Sequence, residues 1–128
     1  MYDFTERKIL ITGSSRGIGR KMAEDFISLG AKVLITGTNE NLLRKIKDEL
    51  GSRCYYVRCN FSKTDEINNL FEQAVNNFGF IDTLVNNAGI TRDGLFLRMS
   101  NMDWMEVLNI NLNSAFILSQ LAIKAMIK

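Results

Sequence analysis

Four short apolar runs alternate with three amphipathic stretches, and this alternation constrains the fold more than any other feature of the chain. The runs are Lys8-Ile-Leu-Ile-Thr12, Ala31-Lys-Val-Leu-Ile-Thr36, Cys54 to Arg58 and Ile81-Asp-Thr-Leu-Val85. Between them apolar residues recur at close to a helical repeat: Ile18, Met22, Ala23, Phe26, Ile27 and Leu29; then Leu42, Leu43, Ile46 and Leu50; then Ile67, Leu70, Phe71, Val75 and Phe78. Each stretch is followed by a glycine, Gly30, Gly51 or Gly79, where a helix C-terminus favours a residue free to adopt positive φ. Strand, helix, strand at this spacing requires right-handed crossovers and a parallel sheet covered on both faces. The expected class is α/β: a Rossmann-like doubly wound parallel sheet, represented by its first four strands with flanking helices.

Two helix starts are legible. Ser62-Lys-Thr-Asp65 resembles a capping box ahead of the third helix. After a loop from Asn86 to about Arg98, Ser100-Asn-Met-Asp103 offers an N-cap to an apolar-rich helix that runs on to Lys128. That helix is apolar nearly all round, with Phe116, Ile117, Leu118, Leu121, Ile123, Met126 and Ile127, so it expects cover on more than one face. The fourth strand would be an open apolar edge, which sheets of this kind usually avoid. An incomplete domain, or an obligatory partner, is therefore expected for residues 1–128, which read as part of one domain with no internal linker and no proline.

Composition excludes several functions. The net charge of +2 comes from scattered basic residues, which argues against a nucleic-acid footprint. With no histidine, imidazole-based triads and histidine metal sites are excluded within the chain, and no metal site is expected. Cys54 and Cys59 lie on one strand about 16 Å apart, beyond disulfide reach, which fits a reduced, cytoplasmic chain. The charged N-terminus lacks the apolar core of a secretion signal, and no stretch is long and apolar enough for a membrane anchor.

Thr12-Gly-Ser-Ser-Arg-Gly-Ile-Gly19 stands at the junction of the first strand and first helix. Gly13, Gly17 and Gly19 there allow a tight turn, close approach of backbone N–H groups to a pyrophosphate, and helix-on-strand packing. The spacing is Gly-x-x-x-Gly-x-Gly rather than Gly-x-Gly-x-x-Gly, and no Gly-Lys pair makes it a P-loop. An ordinary glycine-rich turn is the plain alternative. At the end of the second strand an acidic residue would hold a ribose 2′-hydroxyl, but Thr36-Gly-Thr38-Asn39 has none. Arg16 is placed to reach a 2′-phosphate and Thr38 to hydrogen-bond it, so NADP(H) is favoured over NAD(H). Against this stand Glu40, close by in sequence, and the reading of Arg16 as a solvated surface charge.

Asn86-Asn87-Ala88-Gly89 follows the fourth strand at the carboxyl edge where such sheets bind ligands, and with the glycine loop it brackets one crevice. Its amides could pin neighbouring backbone; an Asn-rich turn is the simpler account. Asn109-Ile-Asn111-Leu-Asn113 puts three poor helix formers inside a helix, a local failure of propensity of the kind found at functional sites.

The Thr12–Gly19 loop, the Asn86–Gly89 tetrad and Asn111 together resemble the short-chain dehydrogenase/reductase family over all 128 residues. Asn86-Asn-Ala-Gly-Ile-Thr-Arg-Asp93 with Arg16-Gly-Ile-Gly19 is similar in particular to the bacterial 3-oxoacyl-[acyl-carrier-protein] reductases of fatty-acid biosynthesis. The resemblance implies that Gly13, Ser15, Arg16, Ile18 and Thr38 line the phosphate and adenosine-ribose end of NADP(H). Asn60, followed by Phe61, would meet the adenine, and Asn87, Ala88 and Gly89 the nicotinamide ribose. Asn111 would be the catalytic asparagine, at a helix kink, helping through a water to hold a proton relay. An acyl substrate on acyl carrier protein and a homotetrameric assembly are implied for the intact enzyme.

One departure stands out. The family uses a Ser and a Tyr-x-x-x-Lys, in which Tyr protonates the carbonyl oxygen and Lys lowers the Tyr pKa. Here four residues after Tyr2, Tyr55 and Tyr56 stand Glu6, Cys59 and Asn60. A family domain is also roughly twice this length. The expectation is the cofactor-binding half of an NADPH-dependent 3-oxoacyl-carrier reductase, inactive as this chain alone. Its rivals are a non-catalytic NADP(H)-binding or interaction module, and a reductase for another carbonyl substrate such as acetoacetyl-CoA.

Overall fold

A computed structural model describes residues 2–128. Four parallel strands, β1 (Lys8–Ile11), β2 (Lys32–Gly37), β3 (Cys54–Arg58) and β4 (Thr83–Val85), lie in the order β3-β2-β1-β4. The helices between them are α1 (Gly17–Ser28), α2 (Glu40–Leu50) and α3 (Thr64–Phe78). The order reverses after β3: the chain leaves β1 toward β2 and β3 on one side, then crosses back to put β4 on the other. Alternate strand residues explain the layers. Ile9, Ile11, Val33 and Ile35 pack with Ala23 and Ile27 of α1 and Leu43 and Ile46 of α2. Leu10 and Leu34 face the opposite way, onto Ile67, Leu70, Ala74 and Phe78 of α3 and Leu118 beyond. A sheet buried on both faces needs apolar residues at successive positions, which is why these strands read as continuous runs. Each such Leu or Ile removed from water contributes about 1.5–3 kcal/mol. Cys54 and Cys59 are free and lie in opposite layers.

Asn39 caps α2, its side chain accepting from Leu42 N–H. The start of α3 differs from the capping box expected at Ser62: Lys63 is the cap residue and no side chain caps it. The cause is Asn60, whose Oδ1 takes both the Ser62 N–H and the Ser62 hydroxyl, so that Ser62 is spent one turn early. Glu66 in the first turn, rather than Asp65, reaches back, to the Asn60 N–H at 3.1 Å. Strand β4 begins only at Thr83, because Asp82 bonds Lys8 through both its N–H and its carboxylate.

Ser100 does cap the helix that follows, accepting from Asp103 N–H at 3.0 Å. That helix runs as α4 (Asn101–Leu108), a π turn (Asn109–Asn113) and α5 (Ser114–Met126). Ser114, Leu118 and Ala122 are its buried positions, while Phe116 is 65% and Ile123 56% exposed. Among the described residues the apolar face is therefore uncovered on one side, and β4 has a single strand neighbour. Among the described residues no helix is long and apolar enough to cross a membrane.

Candidate functional site

The loops leaving the carboxyl ends of the four strands enclose a cleft of about 440 Å³. It spans the carboxyl edge at the point where the strand order reverses, between β1 and β4, the position at which an open α/β sheet takes its ligand.

The hydroxyls of the first loop build it. Thr12 Oγ1 accepts from the N–H groups of both Asn87 and Ala88, each at 2.9 Å, and so fixes the backbone of the fourth-strand loop. Ser14 Oγ donates to the Ile11 carbonyl at 2.7 Å and accepts from Thr36 N–H at 2.9 Å, tying the loop to β2. Both are buried, where an unpaired hydroxyl is costly, so these partners are obligatory. Asn87 returns the tie, donating from Nδ2 to the Gly13 carbonyl at 3.1 Å. Gly13 takes φ +61, and a Cβ there would stand 2.8 Å from Ala88 Cα. Gly19 needs its missing side chain for packing: a Cβ would meet Asn87 Nδ2 and the Gly13 carbonyl at 2.5 Å.

Gly13, Ser15, Arg16, Thr38, Asn60, Phe61, Asn87, Ala88 and Gly89 are brought together as cleft lining. Gly17, Ile18, Gly19 and Asn111 do not line it. Gly17 turns the loop at φ +60, and Ile18 is 74% exposed. Asn111 sits one step back: its Oδ1 accepts from Ile90 N–H at 2.8 Å and its Nδ2 donates to the Ile90 carbonyl at 2.9 Å. Thus the π turn has a use for each awkward amide, since Asn113 Nδ2 also donates to Asn109 Oδ1 at 2.8 Å. A π turn inserts one residue into the helix, and such insertions are frequent at functional sites.

Sequence reasoning missed Thr12 and Ser14 as builders, and Gly37, Cys59, Ile90 and Ile110 as lining. The signal for the first two was present: hydroxyls adjoining a buried strand must find partners. Gly37 lies where a Cβ would press on Ser15 Oγ at 2.9 Å. Cys59 is buried and its thiol is pushed up to about 12 by that burial, so it stays neutral as a small apolar wall.

No carboxylate is among the lining residues, and Arg16 makes no ion pair among the described residues. Glu40, the acid nearest in sequence, is engaged with Arg44 on α2 at 3.8 Å. Thr38 is anchored by its carbonyl, which accepts from Arg58 Nε at 3.0 Å. The cleft thus presents one unneutralised guanidinium, a feature that suits an anionic ligand.

Residues 7–128 match the family model for short chain dehydrogenases. The chain belongs to the short chain dehydrogenase family. It is similar to the 3-oxoacyl-[acyl-carrier-protein] reductase FabG of Aquifex aeolicus, with 46% identity over 123 residues, 93% of this chain and 50% of that protein. Among solved structures, a short-chain dehydrogenase/reductase from Brucella melitensis superimposes with a TM-score of 0.92 at 34% identity, covering 98% of this chain and 54% of that one. A blue fluorescent protein from a metagenomic library, solved in complex with NADPH, gives 0.92 at 27% identity, covering 98% and 53%. The chain spans about half the length of the curated relatives it matches. As a short chain dehydrogenase sequence it supplies the glycine loop and the Asn-Asn-Ala-Gly wall, and contains no Tyr-x-x-x-Lys.

Proposed function

We propose that this chain is the NADP(H)-binding half of a 3-oxoacyl-[acyl-carrier-protein] reductase, which converts a 3-oxoacyl thioester to its 3-hydroxyacyl form. The observation that carries the cofactor reading is the cleft lined by Arg16 and free of carboxylates, beside a glycine loop cross-tied to Asn87. Arg16 and Thr38 would hold the 2′-phosphate, and Gly13 and Ser15 the neighbouring phosphate and ribose. Asn60 and Phe61 would border the base, and Asn87, Ala88 and Gly89 the nicotinamide ribose. Bound there, the reduced nicotinamide supplies the hydride that a carbonyl carbon accepts. Ala88 and Gly89 would border the ring, and Asn111 holds that wall through Ile90, the position from which it would also serve the proton relay. The proton itself must come from a Tyr-x-x-x-Lys contributed by other sequence.

The substrate rests on relatives named as 3-oxoacyl-[acyl-carrier-protein] reductases at 42–46% identity. Acyl carrier protein as substrate carrier and a homotetramer as the assembled state follow from the same reading.

The test joins this chain to a following segment bearing the Ser and Tyr-x-x-x-Lys and measures NADPH oxidation with a 3-oxoacyl-carrier thioester. Turnover is expected, with Arg16→Ala weakening NADPH about ten-fold or more and NADH far less, as loss of a charge-assisted bond to phosphate requires. Equal losses would remove the 2′-phosphate assignment. NADPH binding without turnover on any carbonyl would favour a non-catalytic module.

A further inference from the structure

Two of the loops that line the cleft, one after β2 with Gly37 and Thr38 and one after β3 with Cys59 and Asn60, part where the sheet ends. Among the described residues the last main-chain bond between them runs from the Cys59 N–H to the Gly37 carbonyl at 3.0 Å. Beyond it side chains take over. Arg58, the last residue of β3, donates from Nε to the Thr38 carbonyl at 3.0 Å and from a terminal nitrogen to Glu66 Oε1 at 3.5 Å. The same Glu66 oxygen accepts from the Asn60 N–H at 3.1 Å. Glu66 stands in the first turn of α3, its other oxygen 3.7 Å from Lys63 Nζ, and neither Glu66 nor Arg58 lines the cleft. Thr38, Arg58, Glu66 and Asn60 thus form a relay in which one carboxylate, carried by a helix, holds both loops. An arginine that donates to two acceptors at once has its guanidinium plane fixed, and with it the peptide that follows Thr38. Asn39 anchors that peptide from the other side, as the cap of α2.

Resting on the assignment of Arg16 and Thr38 to the 2′-phosphate of NADP(H), we propose that Glu66 and Arg58 are positioning residues for that phosphate. They touch no ligand and set the preference for NADP(H) over NAD(H) by holding Thr38 in place. A hydroxyl contributes to a phosphate site only when its distance and direction are right, so the backbone that carries it matters. Two plainer roles make different predictions. A carboxylate that only stabilises the start of α3 would, when lost, affect both dinucleotides alike. A carboxylate that acts only as a negative charge would repel the phosphate, and its loss would favour the more anionic dinucleotide. The relay predicts the opposite sign: without Glu66, Arg58 and then Thr38 are released, and the phosphate-bearing dinucleotide loses more.

The test titrates the chain and its variants with NADPH and NADH, following nicotinamide fluorescence, and reads the ratio of the two dissociation constants. Glu66→Ala is expected to lower the preference for NADPH by about three-fold or more, as partial loss of one hydrogen bond to phosphate requires. Glu66→Gln removes the charge but keeps an oxygen for Arg58 and Asn60, and should stay within about two-fold of wild type. Arg58→Lys keeps the charge and loses the two-way donor, so its preference should fall with that of Glu66→Ala. A preference unchanged in Glu66→Ala overturns the proposal in favour of a helix-end role, and a raised one overturns it in favour of simple charge. Should the variants not fold, the wild type decides: the Arg58 Nε–H resonance should move on adding adenosine 2′,5′-bisphosphate and stay in place with adenosine 5′-monophosphate, and an equal response to both overturns the relay. A wild-type chain without preference for NADPH overturns the 2′-phosphate assignment itself, and the positioning role with it.

Discussion

Asn111 and Ile90 are joined twice: the side-chain amide of Asn111 accepts from the Ile90 N–H and donates to the Ile90 carbonyl, at 2.8 and 2.9 Å. A carboxamide matches a peptide group in this way, so one side chain from a helix closes the loop that leaves β4. Gly89, just before, lies against the same amide: a Cβ there would meet Asn111 Oδ1 at 3.4 Å, an ordinary van der Waals contact. Asn111→Ala removes both bonds where water can replace them, and should cost about 1–2 kcal/mol in urea unfolding. Dinucleotide affinity should fall as the Gly89–Ile90 wall loosens. Unchanged stability and affinity would mean that the pairing holds nothing.

Thr12 supports the same wall from the strand side. Thr12→Val keeps the shape of the side chain and removes the acceptor of two half-buried N–H groups, those of Asn87 and Ala88. A loss of about 2–4 kcal/mol is expected, and Thr12→Ser should recover most of it. Equal denaturation midpoints for Val and Ser would show that the hydroxyl is not the anchor.

Gly19 and Gly17 separate packing from backbone conformation. Gly19→Ala forces a methyl to 2.5 Å from Asn87 Nδ2 and the Gly13 carbonyl, so overpacking of about 1–3 kcal/mol is expected together with displacement of Asn87. Gly17→Ala meets nothing within 4 Å and carries only the strain of φ +60, about 1–2 kcal/mol. The amide protons of Asn87 should shift in the NMR spectrum of Gly19→Ala and stay in place in Gly17→Ala; the opposite pattern would contradict this packing.

Both cysteine thiols are held neutral by burial, Cys54 pushed up to about 11 and Cys59 to about 12. An unfolded thiol ionises near pH 8.5, so the native state retains protons that the unfolded chain gives up. Their contribution to stability is therefore complete below about pH 8.5 and is lost as pH rises toward 11–12. Thermal midpoints should fall across that window, less so in Cys59→Ala. Thiol reagents at pH 8 should react only as the chain opens; immediate reaction of both would place them at the surface.

The elements themselves were legible because their causes are local. Ile9, Leu10 and Ile11 are successive apolar β-branched or aliphatic residues bounded by polar ones, and no arrangement but a doubly covered strand suits them. The cap at Ser100 and the glycines after α1, α2 and α3 act within one turn of chain, so sequence spacing finds them. Ser62 failed by the same measure: its hydroxyl had two local offers, and Asn60 two residues away won over the helix end. The site was half legible. The residue types of the loops announced a phosphate-binding turn and a second wall, while Thr12, Ser14 and Ile90 went unnoticed because their partners lie 21 to 76 residues away or belong to the main chain.

What the sequence determined by itself is therefore the periodic and the local: four strands, their helices, the glycine turn and the family. What only the tertiary structure decided is which groups meet across the sheet edge. Thr12 with Asn87 and Ala88, Gly19 with Asn87, and Asn111 with Ile90 come together because parallel pairing of β1 with β4 brings Ile11 beside Val85 and so aligns the two loops. Hydrogen bonds at 3 Å are selected by such registry, and registry is a property of the assembled sheet rather than of any segment.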